Sequence, residues 1–295
     1  LMKKVKYKMN YSNSLDLIPL IFQKKFILDI SMIALKKKFT DSFNFVVNKI
    51  VIVRIDLNLP MFNGKITDFT RLEKIIPTLQ ELLNRNAKVC VLSHFGRPNG
   101  SYNKDLSLKP IVTELEKKLN KTVCFCDDNI KTFKKEKLKN LFNSYSIILL
   151  ENIRFYSEEE KNEETFSKKL ASFGDIYINE CFSTSHRNHS SIVGIPKYLP
   201  SFPGKLLETE VHNLKNLLSD NNSNKSVAVF GGSKISTKIK IIEYYANKFT
   251  KILVGGAMAN TFLQAMGIKI GSSIYEKSMI KIAREYIKNY DEKIM

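Results

Sequence analysis

From Lys49 onward, apolar runs of strand length alternate with stretches of helical period. The order is 50–55 (strand), 71–85 (helix), 88–92 (strand), 111–119 (helix), 146–150 (strand), 163–173 (helix) and 175–179 (strand). A chain patterned this way folds as an α/β sheet, and its Val- and Ile-rich runs imply strands covered on both faces. At 295 residues it exceeds what one hydrophobic core usually serves, so two domains are expected. The break at residues 200–204, with Pro200, Pro203 and Gly204, precedes a helical pattern over 206–218 and marks the boundary between them.

In such sheets ligands bind beyond the carboxyl ends of the strands. The residues at those positions are the unusual ones. Asp56 and Asn58 follow the first run; His94, Gly96 and Arg97 follow the second; Arg154 follows the third; and Arg187, between His186 and His189, follows the fourth. Only seven of the 47 basic residues are Arg, and five of those seven (Arg54, Arg71, Arg97, Arg154, Arg187) sit in these motifs. Guanidinium offers a planar fork of donors to carboxylate or phosphate, which a lysine point charge does not. If the strands are neighbours, Arg97, Arg154 and Arg187 converge with His94 on one cleft suited to a phosphorylated acid.

Each motif also has a bland reading. Asp56 and Asn58 serve equally as an Asx turn. His94 alone reads as a satisfied core imidazole, Gly96 and Pro98 as turn punctuation, and Arg54 as structural because strand alternation points it away. Coincidence at four successive strand ends favours the joint reading.

The second half carries another phosphate device, a strand at 227–230 followed by Gly231, Gly232, Ser233, Lys234 and then Lys238. Glycines let backbone approach phosphate, a following helix N-terminus favours anions, and Lys234 and Lys238, one turn apart, are expected on one helix face. There is no Walker A loop. A further strand leads into Gly255 and Gly256.

The formal net charge of +18 raises nucleic-acid binding as an alternative, but ten lysines against Asp16, Asp29 and Asp41 place +7 of it in the first 50 residues, and the remainder is dispersed. Four cysteines in a chain this long make no disulfide framework, and one C-F-C without a second pair makes no zinc site. A reduced, cytoplasmic setting is expected. Residues 1–31 mix lysines with apolar pieces too short to span a bilayer and read as an extension of unknown role.

The motifs V-R-I-D-L-N-L-P with G-K-I-T-D-F-T-R, then S-H-F-G-R-P, L-L-E-N-I-R-F and D-I-Y-I-N-E-C-F-S-T-S-H-R-N-H-S-S resemble, in order, the N-terminal domain of the phosphoglycerate kinase family. The resemblance is strong over about 49–272 and looser to 295. It implies two Rossmann-like parallel α/β/α domains facing a cleft, the second truncated relative to the family. The implied divisions are a 3-phosphoglycerate-binding domain at 32–204, an interdomain helix at 205–220 and a partial nucleotide-binding domain at 221–295. It implies reversible phosphoryl transfer between ATP and the carboxylate of 3-phosphoglycerate in glycolysis, with Mg2+ carried by the nucleotide and hinge closure to exclude water.

By the same resemblance Asp56, Asn58, Arg71, His94, Arg97, Arg154 and Arg187 hold 3-phosphoglycerate or 1,3-bisphosphoglycerate. Arg71 also steadies the phosphoryl group in flight, with Lys234 beside it. Gly231, Gly232, Lys234, Lys238, Gly255 and Gly256 approach ATP or ADP. Thr237, where many members carry an acid, and Ala257, where they carry a third glycine, depart from the pattern. A monomer without nucleic-acid or membrane partners is expected. The alternatives are a remnant that binds 3-phosphoglycerate without transfer and a basic nucleic-acid-binding protein.

Overall fold

The computed structural model describes residues 37–62, 64–218 and 225–295. The expected extension at 1–31 and the last two residues of the expected 205–220 helix lie outside the described residues. Among those described, the chain divides into a larger unit ending at His212 and a smaller one beginning at Asn213.

The strands are β1 (Ile50–Arg54), β2 (Met61–Phe62), β3 (Lys65–Ile66), β4 (Lys88–Leu92), β5 (Cys124–Cys126), β6 (Ile147–Leu150), β7 (Ile176–Asn179), β8 (Ser201–Pro203), β9 (Val227–Phe230) and β10 (Lys251–Val254). The principal helices are α1 (Thr70–Asn84), α2 (Val112–Leu119), α3 (Lys135–Ser144), α4 (Ser157–Lys161), α5 (Glu164–Ala171), α6 (Lys205–Leu218), α7 (Ile239–Lys248), α8 (Ala257–Ala265) and α9 (Ile280–Asn289).

In the larger unit six strands form one sheet in the order β5-β6-β4-β1-β7-β8, every pair parallel. Alternate residues face opposite sides, and both sides are buried. Val51, Val53, Val89, Val91, Ile147 and Leu149 pack with Leu72 and Leu79 of α1 and Leu115 of α2. Ile50, Ile52, Cys90, Leu92, Ile148 and Leu150 pack with Leu138 of α3 and Phe166 and Leu170 of α5. Each such side chain taken fully from water contributes about 1.5–3 kcal/mol, which explains the unbroken apolar runs. All four cysteines are free thiols, and Cys90, Cys126 and Cys181 are buried.

Two elements depart from the sequence expectation. The C-F-C segment is a three-residue strand at the sheet edge. The proline-rich break contains β8, on the opposite edge, where Pro203 withdraws no ladder hydrogen bond that the sheet needs.

The start of α6 is fixed by a carboxylate. Glu180, immediately after β7 and 1% exposed, accepts the backbone N–H groups of Leu206 and Leu207 (both 3.0 Å) and the hydroxyl of Thr78. An anion at a helix N-terminus meets otherwise unsatisfied amides and the positive end of the dipole. Burial nevertheless dominates and pushes its carboxyl from the ordinary 4.5 up to about 7, against the lowering by Thr78 and the two amides. An acid held up in the folded state binds its proton more tightly there than when unfolded. Its contribution is therefore complete below pH 4.5 and is lost as pH rises towards 7, a loss of about 3 kcal/mol. Urea unfolding of the chain beside Glu180→Gln, at pH 5 and pH 7.5, should show the stability difference between the two proteins moving by that order in this direction. A difference independent of pH would refute it.

In the smaller unit β9 and β10 pair in parallel, Val227 opposite Lys251 through Phe230 opposite Val254. Ile242, Ile252, Met258, Phe262 and Ala283 form its core.

Candidate functional site

The connection from β1 runs to β4 and that from β7 to β8, on opposite sides, so the strand order reverses between β1 and β7. A crevice opens at the carboxyl ends of such a pair. There the structure places a cavity of about 270 Å3, lined by Asp56, Asn58, Arg71, His94, Gly96, Arg97, Arg154, Ser183, Thr184 and Arg187. All seven residues named from sequence for the phosphorylated acid meet in it, because the loops after β6, β4, β1 and β7 leave four adjacent strands and Arg71 lies in the first turn of α1.

The Asx-turn reading of Asp56 also holds, since its Oδ1 accepts the backbone N–H of Asn58 at 2.9 Å. Its other oxygen accepts from the Ser183 hydroxyl at 2.5 Å and stands 3.4 Å from Arg71 Nη1. Arg71 also donates to the Asn58 carbonyl at 2.9 Å and remains half exposed, so one acid orients both a guanidinium and the loop from β7. Asn58 Oδ1 accepts the Gly96 N–H at 2.9 Å, tying the first loop to the second. Gly96 has φ +60, and a Cβ there would stand 2.7 Å from Leu106, so both backbone and space favour glycine. Arg154, with its side chain 5% exposed, donates from Nη1 to the Gly96 carbonyl at 2.9 Å, while its Nε lies 3.4 Å from the Glu160 carboxylate.

His94 is buried, with Nδ1 3.1 Å from Nη2 of Arg54, which is itself wholly buried. Burial first, then Arg54 and Arg154, hold His94 far below the ordinary imidazole range, and burial with Arg154 and Arg187 lowers His189 to about 3. Both rings are neutral near pH 7. The positive charge of the cavity therefore resides in guanidinium groups, four of which line it. Gly96 stands in the sequence among the strand-end residues but reads there as turn punctuation, and Ser183 and Thr184 carry no sequence signal of their own. The F-S-T-S-H-R run held Ser183 and Thr184, but nothing in its spacing distinguishes the hydroxyl that meets Asp56.

The smaller unit brings its glycine turns together at the ends of β9 and β10. Gly255 N–H donates to Phe230 O at 2.7 Å and Met258 N–H to Gly232 O at 2.9 Å. Gly232 (φ +140) and Gly256 (φ +66) adopt left-handed-region backbone, and a Cβ on Gly256 would stand 3.1 Å from Gly232 O, so the two turns approach as only glycine permits.

The expected shared helix face of Lys234 and Lys238 is not formed. Lys234 lies in irregular chain, residues 235–238 are bend and turn, and α7 begins at Ile239. Thr237 Oγ1 donates to Lys234 O, Ser236 N–H donates to the Glu276 carboxylate at 3.0 Å, and Lys238 Nζ turns back to Gly231 O at 3.0 Å. These local bonds compete with helix and delay its start.

The fold and its strand ends together define an α/β protein built to gather anions at the carboxyl ends of parallel strands. Within that class the chain belongs to the phosphoglycerate kinase family, whose family model matches residues 41–295. Phosphoglycerate kinase of Brucella suis biovar 1 is 43% identical over 238 residues, covering 81% of this chain and 60% of that protein. That of Orientia tsutsugamushi is 44% identical over 242 residues, covering 82% and 59%. The solved structure of phosphoglycerate kinase from Coxiella burnetii superposes with a TM-score of 0.70 at 36% identity, covering 85% of this chain and 63% of that one. The chain thus spans about 60% of the length of the curated relatives it matches. Among the described residues no helix is long and apolar enough to cross a membrane.

Proposed function

We propose that the protein acts as a phosphoglycerate kinase, moving a phosphoryl group reversibly between ATP and the carboxylate of 3-phosphoglycerate in glycolysis. The observation that carries this reading is the meeting of Arg71, Arg97, Arg154 and Arg187 with neutral His94 in one cavity at the strand-order reversal. Four guanidinium forks suit a ligand with a phosphate dianion at one end and a carboxylate at the other. Asp56 and Asn58 hold the cavity's shape, and half-exposed Arg71, oriented by both, steadies the transferring group. Residues 32–204 serve as the 3-phosphoglycerate-binding domain, 205–220 as the interdomain helix and 221–295 as part of the nucleotide domain.

On that reading Gly231, Gly232, Gly255 and Gly256 let backbone amides approach the nucleotide, with Lys238 at its phosphates and Lys234 at the transferred group. In keeping with the family likeness, Mg2+ would be carried on the nucleotide phosphates. The protein needs no nucleophile, because transfer is accelerated by positioning and by cations around the equatorial oxygens. ATP or ADP as partner, a cytoplasmic setting and a monomer belong to the same proposal.

The deciding experiment supplies the purified chain with Mg-ATP and 3-phosphoglycerate and measures transfer, beside calorimetric titration of 3-phosphoglycerate alone, with Arg71→Ala and Lys234→Ala as controls. Saturable binding, and transfer lost in both variants, are expected. Transfer that survives both substitutions would reject these roles, and absence of 3-phosphoglycerate binding would reject the reading itself.

A further inference from the structure

Behind the cavity lies a carboxylate that the proposed chemistry leaves unused. Glu159, in α4, is wholly buried, and both its side-chain hydrogen bonds go to one residue: it accepts the Ser191 N–H at 2.8 Å and the Ser191 hydroxyl at 2.5 Å. Having given its only proton to Glu159, the Ser191 oxygen is an acceptor, and Arg54 Nε–H donates to it at 3.0 Å. Arg54 in turn bonds the Ile55 carbonyl and reaches His94 Nδ1 at 3.1 Å. Ser191 is held from its other side by the Tyr177 hydroxyl, which donates to the Ser191 carbonyl at 2.7 Å. His189 Nδ1 stands 3.8 Å from Glu159, beyond hydrogen-bond range, so the ordered path leads through Ser191.

The direction of this path follows from the chemistry of its members. A guanidinium has donors only, so His94 Nδ1 must accept from Arg54. A neutral ring then carries its single proton on Nε2. Reversing the tautomer would set an N–H against a guanidinium N–H. Arg54, for its part, is a charge with no exposure at all, and an isolated buried cation is costly unless a counter-charge and full hydrogen bonding accompany it. Glu159 supplies the acid end of that arrangement.

We propose that Glu159 is a positioning residue for the cavity: through Ser191 and Arg54 it fixes His94 as the Nε2–H tautomer, so that this ring can only donate to an anionic oxygen of the substrate. The identity of that substrate rests on the function proposed above, whereas the tautomer does not.

The test uses the whole chain with 15N-labelled histidine. Long-range 1H–15N spectra report which ring nitrogen of His94 is protonated, with the resonance assigned from His94→Gln. The wild-type protein should show a protonated Nε2 and a bare Nδ1. Ser191→Ala, which cuts the path without adding volume, and Glu159→Gln should each give a mixture of tautomers and weaken 3-phosphoglycerate about tenfold, and the double variant should be no weaker than either single one. A wild-type ring protonated on Nδ1 overturns the proposal. So does a folded Ser191→Ala protein that keeps a single Nε2–H tautomer or full affinity. If Glu159→Gln does not fold, Ser191→Ala decides alone. If the wild-type chain fails to bind 3-phosphoglycerate, the functional reading falls and the spectra still decide the tautomer.

Discussion

Replacing Arg154 by Ala should weaken 3-phosphoglycerate by about a thousandfold, because a desolvated, charge-assisted contact removed from a buried pair or cluster typically costs 2–5 kcal/mol. Its side chain is 5% exposed and fixed by the Gly96 carbonyl, so its fork is presented without the entropy loss that a free surface arginine incurs. Arg154→Lys should recover little of the loss, since an ammonium cannot hold the Gly96 carbonyl and grip a planar anion in one geometry. Calorimetric titration at fixed ionic strength, with circular dichroism to confirm folding, is the measurement. A loss below tenfold in a folded variant would remove Arg154 from the grip and leave it a role only in joining the loops after β4 and β6.

The second large effect concerns the fold. In Gly204→Ala the new methyl would stand 2.1 Å from Glu180 Oε2 and 2.4 Å from its carboxyl carbon. That carboxylate has nowhere to go, being held by Thr78 and by the amides of Leu206 and Leu207. Overpacking of this kind costs about 1–3 kcal/mol, and disturbing buried hydrogen bonds to a charged group adds a comparable amount. A loss of about 3–5 kcal/mol in urea unfolding is therefore expected. Pairing the substitution with Glu180→Asp, which withdraws the carboxylate by one methylene, should return part of it. A Gly204→Ala protein within 1 kcal/mol of the wild type would show that the start of α6 can shift freely.

Much of this architecture is legible in the sequence for a physical reason. A strand buried on both faces must be apolar throughout, so β1, β4, β6 and β7 announce themselves, and the polar residues that end them fall where a parallel sheet presents its ligands. Edge strands escape notice: Cys124–Cys126 and Ser201–Pro203 are three residues each, too short for a period to show. The Lys234–Lys238 spacing misled because Ser236, Thr237 and Glu276 spend their hydrogen bonds on a turn that periodicity does not register. Glu159 and Glu180 are invisible for another reason. Glu159 stands in a charged run and Glu180 at a strand end, where an acid looks solvated, and only tertiary structure reveals that one is buried near Arg54 and the other plugged into a helix end.

The distribution of sulfur has a practical consequence. All four cysteines lie before His212 and none beyond it, with Cys90 and Cys126 on the inner faces of the sheet and the Cys126 thiol pushed up to about 12 by burial. A thiolate is the species that reacts with alkylating reagents, so these side chains stay silent until the sheet opens. Once the half-buried Cys124 has reacted, further reagent uptake records the breathing of the guanidinium-bearing unit, while the unit with the paired glycine turns can melt and reform without leaving a mark.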